Sequence, residues 1–247
     1  MLKLDKFSVH LAQTDDDIKR VQALRYEVFY NELKAKPLFD GQTLDQDGYD
    51  TVCDHLMVID DETSEVVGTY RLIRQEMLPK DLNFYTSNEY NLSRLLSQDK
   101  SLVEVGRSCV HKDYRVRPVM TLLWHGLGAY MKDHSIDYFF GCASFEGNDV
   151  KSLALPLSFL YHYHLADKAI CPRALDEYYV DMNKLPIDQV DKKEAWLLLP
   201  PLIKGYLRAG CMIGDGAFID EQFSTVDVCI IMNIGQVTER YYRRFGR

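Results

Sequence analysis

The amino-acid sequence predicts a mixed α/β (α+β) fold, with a mixed central sheet and helices on both faces. Three observations carry this expectation. Some short runs alternate apolar and polar residues, as half-buried strands do, while others repeat apolar residues at helical spacing. The order is strand–helix, then antiparallel strands, then strand–helix–strand–helix, which departs from regular doubly wound alternation. The 247 residues hold no repeat and no linker rich in Gly, Pro or Ser, so one domain is expected over 1–247.

Phe7 to Leu11 reads as the first strand. Thr14 offers a capping hydroxyl ahead of Asp15, Asp16 and Asp17, acids suited to the positive end of a helix dipole. Ile18, Val21, Leu24 and Val28 extend an apolar stripe, and the helix is expected to reach about Leu33. Leu38 to Cys53 is polar and Asp-rich, the composition of a loop over the surface. A hairpin follows, Leu56 to Ile59 and Val66 to Ile73, turning through Asp60-Asp61-Glu62-Thr63. Leu102 to Val110 is a strand, and Val119 to Met131 a helix introduced by Pro118. Ile136 to Phe145 is a strand and Val150 to Ala166 a helix. After a connection rich in Asp and Pro come a helix, Pro201 to Arg208, and closing strands over Met212 to Ile219 and Val226 to Met232.

Charge and cysteine usage exclude several classes. With 29 basic against 37 acidic side chains, net −8, the chain lacks the dominant basic field of a nucleic-acid binder. No apolar stretch approaches the roughly 20 residues of a spanning helix, and the start lacks the apolar core of a signal peptide. Cys53, Cys109, Cys142, Cys171, Cys211 and Cys229 are scattered, without the close pairs of zinc or redox sites. The expectation is a cytoplasmic protein with free thiols and no metal, touching the inner membrane at most from its surface.

Five features put charge where packing alone would not. Arg25 shares a helix face with Val21 and Phe29. Arg71 alternates with Val67, Thr69 and Ile73, and Glu104 alternates with Leu102 on a strand that otherwise reads as core. Arg107 falls at an odd offset from Glu104, so a bulge at Gly106 is expected to bring both toward one cleft and to free backbone N–H groups. The fifth feature is the acidic loop Asp45-Gln-Asp47-Gly-Tyr-Asp50, leading into Asp54-His55. Each has a structural reading as an ion pair or solvated loop. Together they point to a site, because burying such charges is costly.

These segments also carry a resemblance. Leu24-Arg25-Tyr26-Glu27-Val28-Phe29, the three spaced aspartates, Gly68-Thr69-Tyr70-Arg71-Leu72 and Glu104-Val105-Gly106-Arg107-Ser108-Cys109-Val110 occur in order. This pattern resembles the acyl-homoserine-lactone synthases and the wider GNAT-type acyltransferases that use acyl-carrier protein. Leu123-Trp124-His125-Gly126-Leu127, Phe140-Gly141-Cys142-Ala143-Ser144-Phe145, Pro200-Pro201-Leu202-Ile203-Lys204-Gly205 and Ile213-Gly214-Asp215-Gly216-Ala217 follow, with Asp220, Phe223 and Asp227. These are similar to the ornithine-lipid N-acyltransferases, or lyso-ornithine lipid synthases, a hemolysin-like GNAT family. The likeness covers nearly the whole chain.

The resemblance implies a GNAT-like sheet and transfer of a 3-hydroxyacyl chain from acyl-carrier protein to the α-amine of ornithine. The product would be lyso-ornithine lipid. No separate cofactor is implied; the carrier's 4'-phosphopantetheine thioester is the co-substrate. By match to the family strand, Glu104 is the general base, and an α-amine of pKa about 8 needs only a modest one. Backbone N–H groups from Arg107 to Val110 are expected to bind the thioester oxyanion. Asp45, Asp47 and Asp50 are expected to pair with ornithine's side-chain ammonium, and Arg25 or Arg71 to hold its carboxylate or position the acidic loop. Ser108, Cys109 and Val110 would line the acyl and pantetheine groove.

Coenzyme-A-dependent GNAT enzymes carry a Gly-rich pyrophosphate turn before the central helix, where this chain has Tyr114-Arg115-Val116-Arg117-Pro118. That favours a carrier-borne pantetheine with one phosphate, and Lys112, Arg115 and Arg117 would form a basic rim for the acidic carrier. His162 and Asp167 diverge by about 140° on a helix and are not a catalytic pair. His162 and His164 would not converge on a metal, and Gly126-Leu127-Gly128 lacks the strand–turn context of a dinucleotide site. The tail from Arg240 to Arg247 mixes cations with aromatics, suited to lipid headgroups, to the carrier, or to a solvated terminus. Other readings stay open: an acyl-homoserine-lactone synthase, an N-acyltransferase for another amino acid, or a non-catalytic acyl-carrier- or lipid-binding module.

Overall fold

The early hairpin sits within a ten-stranded sheet in the computed structural model, which describes residues 2–236. In chain order the elements are β1 (Leu2–Leu4), β2 (Phe7–Leu11), α1 (Asp15–Tyr26), β3 (Asp54–Asp60), β4 (Glu65–Arg74), β5 (Tyr90–Asn91), α2 (Ser93–Leu96) and β6 (Leu102–Val110). There follow α3 (Arg117–Asp133), β7 (Tyr138–Glu146), α4 (Ala154–His164), β8 (Arg173–Ala174), α5 (Lys192–Leu198), α6 (Pro201–Ala209), β9 (Met212–Asp220) and β10 (Thr225–Asn233). The sheet order is β1-β2-β3-β4-β6-β7-β10-β9-β8-β5, antiparallel except at β6–β7 and β8–β9.

Local chemistry sets most boundaries. The Thr14 hydroxyl accepts from the Asp17 N–H while the Asp17 carboxylate returns to the Thr14 N–H, a capping box that starts α1. The helix does not run to Leu33 as one α-helix. From Glu27 to Glu32 it widens into π turns, with the Leu33 N–H reaching back five residues to the Val28 carbonyl. Pro118 lies in the first turn of α3, where no helical donor is needed. Gly210, at φ 109°, closes α6 in the left-handed conformation. The helix expected from Val150 begins at Ala154, because residues 149–153 form turns fastened by Asp149. The elements β1, β5, β8, α2 and α5, all of seven residues or fewer, are too short to show clear periodicity in the sequence.

Helices do cover both faces. A Cβ at Gly68 would meet Val119 and Leu123 of α3, and the Tyr70 hydroxyl lies 3.1 Å from that of Tyr206 on α6. The main core gathers on this face. Thr69, Arg71 and Ile73 point the other way, and Arg71 shares Asp50 with Arg25 of α1. The segment 38–53 is not simply a surface loop: Asp45 and Asp50 are buried there, because arginines neutralise them.

Two irregularities open the sheet. β6 and β7 pair only from Leu102 to Glu104 against Tyr138 to Phe140 and then part. Gly141 stands at the fork, where a Cβ would run into the Val105 carbonyl oxygen. Between β4 and β6, Arg71 pairs with Gly106 and Thr69 with Cys109, so Arg107 and Ser108 together oppose Tyr70. The expected bulge therefore lies one residue beyond Gly106, at Arg107, whose φ is 49°. That conformation costs about 1–2 kcal/mol for a side chain with a Cβ. Ion pairs to Asp45 and Asp47, and the Tyr85 and Phe223 rings 4.9 Å from the guanidinium, hold Arg107 there. All six cysteines are free. Among the described residues no helix is long and apolar enough to cross a membrane. The tail from Arg240 to Arg247 lies outside the described residues.

Candidate active site

Where β6 and β7 part, a cavity of about 540 Å³ passes between them. Its two walls come from the two faces of the sheet and differ in chemistry. On the α1 face it is lined by Arg71, Tyr85, Glu89, Glu104, Arg107 and Asp227. On the opposite face it is lined by Tyr70, Leu153, Leu198, Pro200, Leu202 and Tyr206. The backbone edges that β6 and β7 turn toward each other here have no ladder partner, so their N–H groups are free to meet a ligand.

Beside the polar wall, three arginines meet three aspartates. Arg25, with no exposed surface, places Nε 2.7 Å from Asp45 and Nη1 and Nη2 at 3.0 and 2.8 Å from Asp50, and also donates to the Asp45 carbonyl. Arg71 Nη1 lies 2.7 Å from both Asp47 oxygens and 3.4 Å from Asp50. Arg107 reaches Asp45 at 3.3 Å and Asp47 at 3.4 Å. Burial works against the Asp50 charge, but the Arg25 hydrogen bonds and the charges of Arg25 and Arg71 outweigh it and hold the carboxyl far below its usual range. The loop acids are thus committed to arginines and do not line the cavity, contrary to the expectation that they meet a substrate ammonium. Arg25 is the loop's anchor. It stands off the cavity, which leaves Arg71 and Arg107 as the arginines on its wall.

Glu104 stands on the cavity wall and is nearly fully buried. Its Oε2 accepts from the Tyr85 N–H at 2.8 Å, and Oε1 accepts from the Thr86 N–H at 2.7 Å and the Thr86 hydroxyl at 2.6 Å. Burial raises its pKa; the Thr86 hydrogen bonds and Arg71 oppose the rise without cancelling it. Oε1 has both lone pairs engaged, whereas Oε2 retains acceptor capacity for a proton or a water. The Thr86 hydroxyl is also 4.0 Å from the Cys142 thiol, which donates to Glu89 at 3.0 Å.

A second acidic group shares the cavity. Glu89, Asp220 and Asp227 place carboxylate oxygens within 4.8 Å of one another, all on buried residues. Burial, then the Asp227 charge, pushes Glu89 up to about 8. Burial likewise raises Asp227 to about 6, against the nearby hydroxyls of Thr225 and Ser144. Asp50, Cys53 and His55 are the other described trio of metal-ligand spacing, but Asp50 there already serves Arg25 and Arg71.

The structure separates the residues expected in the acyl groove. Ser108 lines the cavity, whereas Cys109 packs with Leu24 and Val28 under α1 and Val110 joins the main core. Strand alternation beyond the bulge sends them to opposite faces. Arg115 and Arg117 are exposed away from the cavity, and Arg115 lies 2.7 Å from Glu32. Glu89, Asp220 and Asp227 join the site without being among the residues expected there. Asp227 carried a usable signal, a lone acid in the apolar run Val226 to Ile231, the pattern that singled out Glu104. Glu89 sits in a polar stretch and carried none.

A profile described as an acetyltransferase (GNAT) domain matches residues 24–125. A solved CoA-dependent acyl-homoserine lactone synthase superposes with a TM-score of 0.55 at 14% identity, covering 97% of this chain and 90% of that one, which establishes the fold. The parted strands with a cavity between them, in this setting, place the fold in the GNAT class. The curated relatives narrow the class. The L-ornithine N(alpha)-acyltransferase of Brucella abortus (strain 2308) is 44% identical over 99% of this chain and 90% of its own length. That of Rhizobium meliloti (strain 1021) is 40% identical over 99% of this chain and 86% of its own. The chain belongs to the L-ornithine N(alpha)-acyltransferase family, enzymes that form an amide.

Proposed function

We propose that the protein transfers a 3-hydroxyacyl chain from the phosphopantetheine thioester of acyl-carrier protein to the α-amine of L-ornithine, giving lyso-ornithine lipid. The observation that carries this reading is the two-sided cavity at the parted strands, with Glu104 on its polar wall and an apolar wall opposite. The thioester enters between β6 and β7, with its acyl chain against Tyr70, Leu153, Leu198 and Leu202. The guanidinium nitrogens of Arg71 and Arg107 that do not contact the loop aspartates donate to the amino acid's carboxylate. The neutral α-amine attacks the thioester carbon, and Glu104 takes its proton, directly or through water. Backbone N–H groups near Ser108 stabilise the oxyanion, and its collapse forms the amide and expels the pantetheine thiolate, which takes up a proton. No side-chain nucleophile is required.

Support for a carrier-borne donor comes from the entrance to α3. Pro118 removes one N–H from its first turn, and no glycine lies between Lys112 and Arg117 to fold a diphosphate-binding loop. The test is product analysis by mass spectrometry with 3-hydroxyacyl carrier protein and ornithine. Amide is expected, whereas product with S-adenosylmethionine alone, as a lactone, would overturn the assignment. Glu104→Gln is expected to lower kcat roughly 100- to 1,000-fold and to remove the acid limb of the pH profile. An unchanged profile would rule out Glu104 as the base.

A further inference from the structure

We propose that Glu89, Asp220 and Asp227 form the receptor for the side-chain ammonium of a diamino acid, and that this cluster selects it over amino acids with neutral side chains. The inference rests on the reading above, in which ornithine is the acyl acceptor.

The three acids come from separate parts of the chain: Glu89 just before β5, Asp220 at the end of β9 and Asp227 on β10. All line the cavity, and Glu89 and Asp227 are only 5% and 6% exposed. Among the described residues no Lys, Arg or His makes an ion pair with any of them; Arg107 is turned to Asp45 and Asp47. Asp227 Oδ1 is buried and accepts no hydrogen bond. Asp220 Oδ1 accepts from the Gln222 and Phe223 N–H groups at 2.7 and 2.8 Å, which leaves its second oxygen free of the backbone.

Buried carboxyls with no ion-paired cation are costly, and here that cost raises the pKa of Glu89 and Asp227, with Arg107 acting on Asp227 only through its charge. The elevated pKa values of Glu89 and Asp227 are the signature of a site awaiting positive charge. The loop acids are the contrast: the same residue type, already neutralised by three arginines. An alkylammonium has three N–H donors for three carboxylates. The spacing also fits. From Glu104 the path runs 2.6 Å to the Thr86 hydroxyl, 4.0 Å to the Cys142 thiol and 3.0 Å to Glu89. A three-carbon side chain bridges such a separation, placing the α-amine near Glu104 and the terminal ammonium among the acids. A divalent cation is the other ligand that such oxygens take, and the experiment separates the two.

Norvaline, which is ornithine without its terminal amine, is the probe. Calorimetric binding to the purified protein without acyl donor is paired with steady-state kcat/KM for both amino acids. Wild type is expected to prefer ornithine by about 100-fold or more, because norvaline leaves the acids unpaired. Asp227→Asn and Glu89→Gln are each expected to cut that preference about tenfold or more, with melting curves verifying the fold. Asp220 is avoided because it caps the β9–β10 turn. Near pH 7 ornithine binding should release protons, seen as heats that depend on the buffer. The same ornithine preference in both variants would overturn the proposal. So would ornithine binding that is lost in EDTA and restored by Mg²⁺. If wild type shows an acid-dependent preference but forms no amide from any acyl thioester, the receptor stands and the acyltransfer reading above fails.

Discussion

Glu89 shows how one residue ties the site to stability. Burial and the Asp227 charge hold its pKa at about 8, against about 4.3 for an ordinary glutamate. Below pH 4 the folded and unfolded chains both carry this proton, and it contributes nothing to the pH dependence. As pH rises from there, the unfolded chain releases the proton while the folded chain keeps it. Stability therefore falls across this window and levels off above pH 8. Glu89→Gln removes the effect. In urea titrations it should match wild type at pH 4 and exceed it by on the order of 4–5 kcal/mol at pH 8. Equal stabilities at pH 8 would show that the acid is not strained by its surroundings. Arg25 is the opposite case, because its two buried partners depend on it. Removing one member of such a pair typically costs 3–5 kcal/mol by leaving a charge unpaired.

At the level of elements, the decisive feature is that β6 and β7 stop pairing after Glu104 and Phe140. Gly141 permits the close approach of the two strands at the fork. Gly141→Ala is expected to lose about 1–3 kcal/mol in a thermal melt, because its new methyl meets a backbone carbonyl that cannot rotate away. A melting temperature within a degree of wild type would mean that the fork is compliant. The bulge at Arg107 acts on the other strand edge. It turns Arg107 to the face of Glu104 while Ser108 meets the cavity, so one extra residue supplies both the guanidinium and the open backbone. Alternation identified β3, β4, β6, β7, β9 and β10 closely. It placed the bulge at the glycine, because a sequence displays conformational permission, whereas here ion pairs and ring contacts hold a costlier residue in place.

For the whole molecule, net charge matters less than its distribution. Three arginines neutralise the acidic loop, three further acids face the cavity, and Lys112, Arg115 and Arg117 stand exposed near the start of α3. An acidic carrier protein approaching that edge would meet local positive charge on an acidic enzyme. Arg117→Glu is expected to raise KM for acyl-carrier protein several-fold, more at low salt than at high, with a smaller effect for the same acyl chain on free pantetheine. Equal effects on both donors would move the carrier's docking surface elsewhere.

Strand and helix order, the charged residues out of place on apolar faces and, through its motifs, the family are legible in the chain alone. These are local in the chain: alternation, caps and short contiguous patterns record the environment of each residue. Which acids are neutralised and which are not emerges only on folding. Asp45, Asp47 and Asp50 are adjacent and looked like a binding loop, yet arginines from α1, β4 and β6 neutralise them. Glu89, Asp220 and Asp227 span about 140 residues of the chain, and folding alone brings them into one cluster with no ion-paired cation. The physical reason is that a carboxylate's chemistry is set by burial and by neighbouring charge. Both are properties of the packed molecule, which no spacing in the chain records.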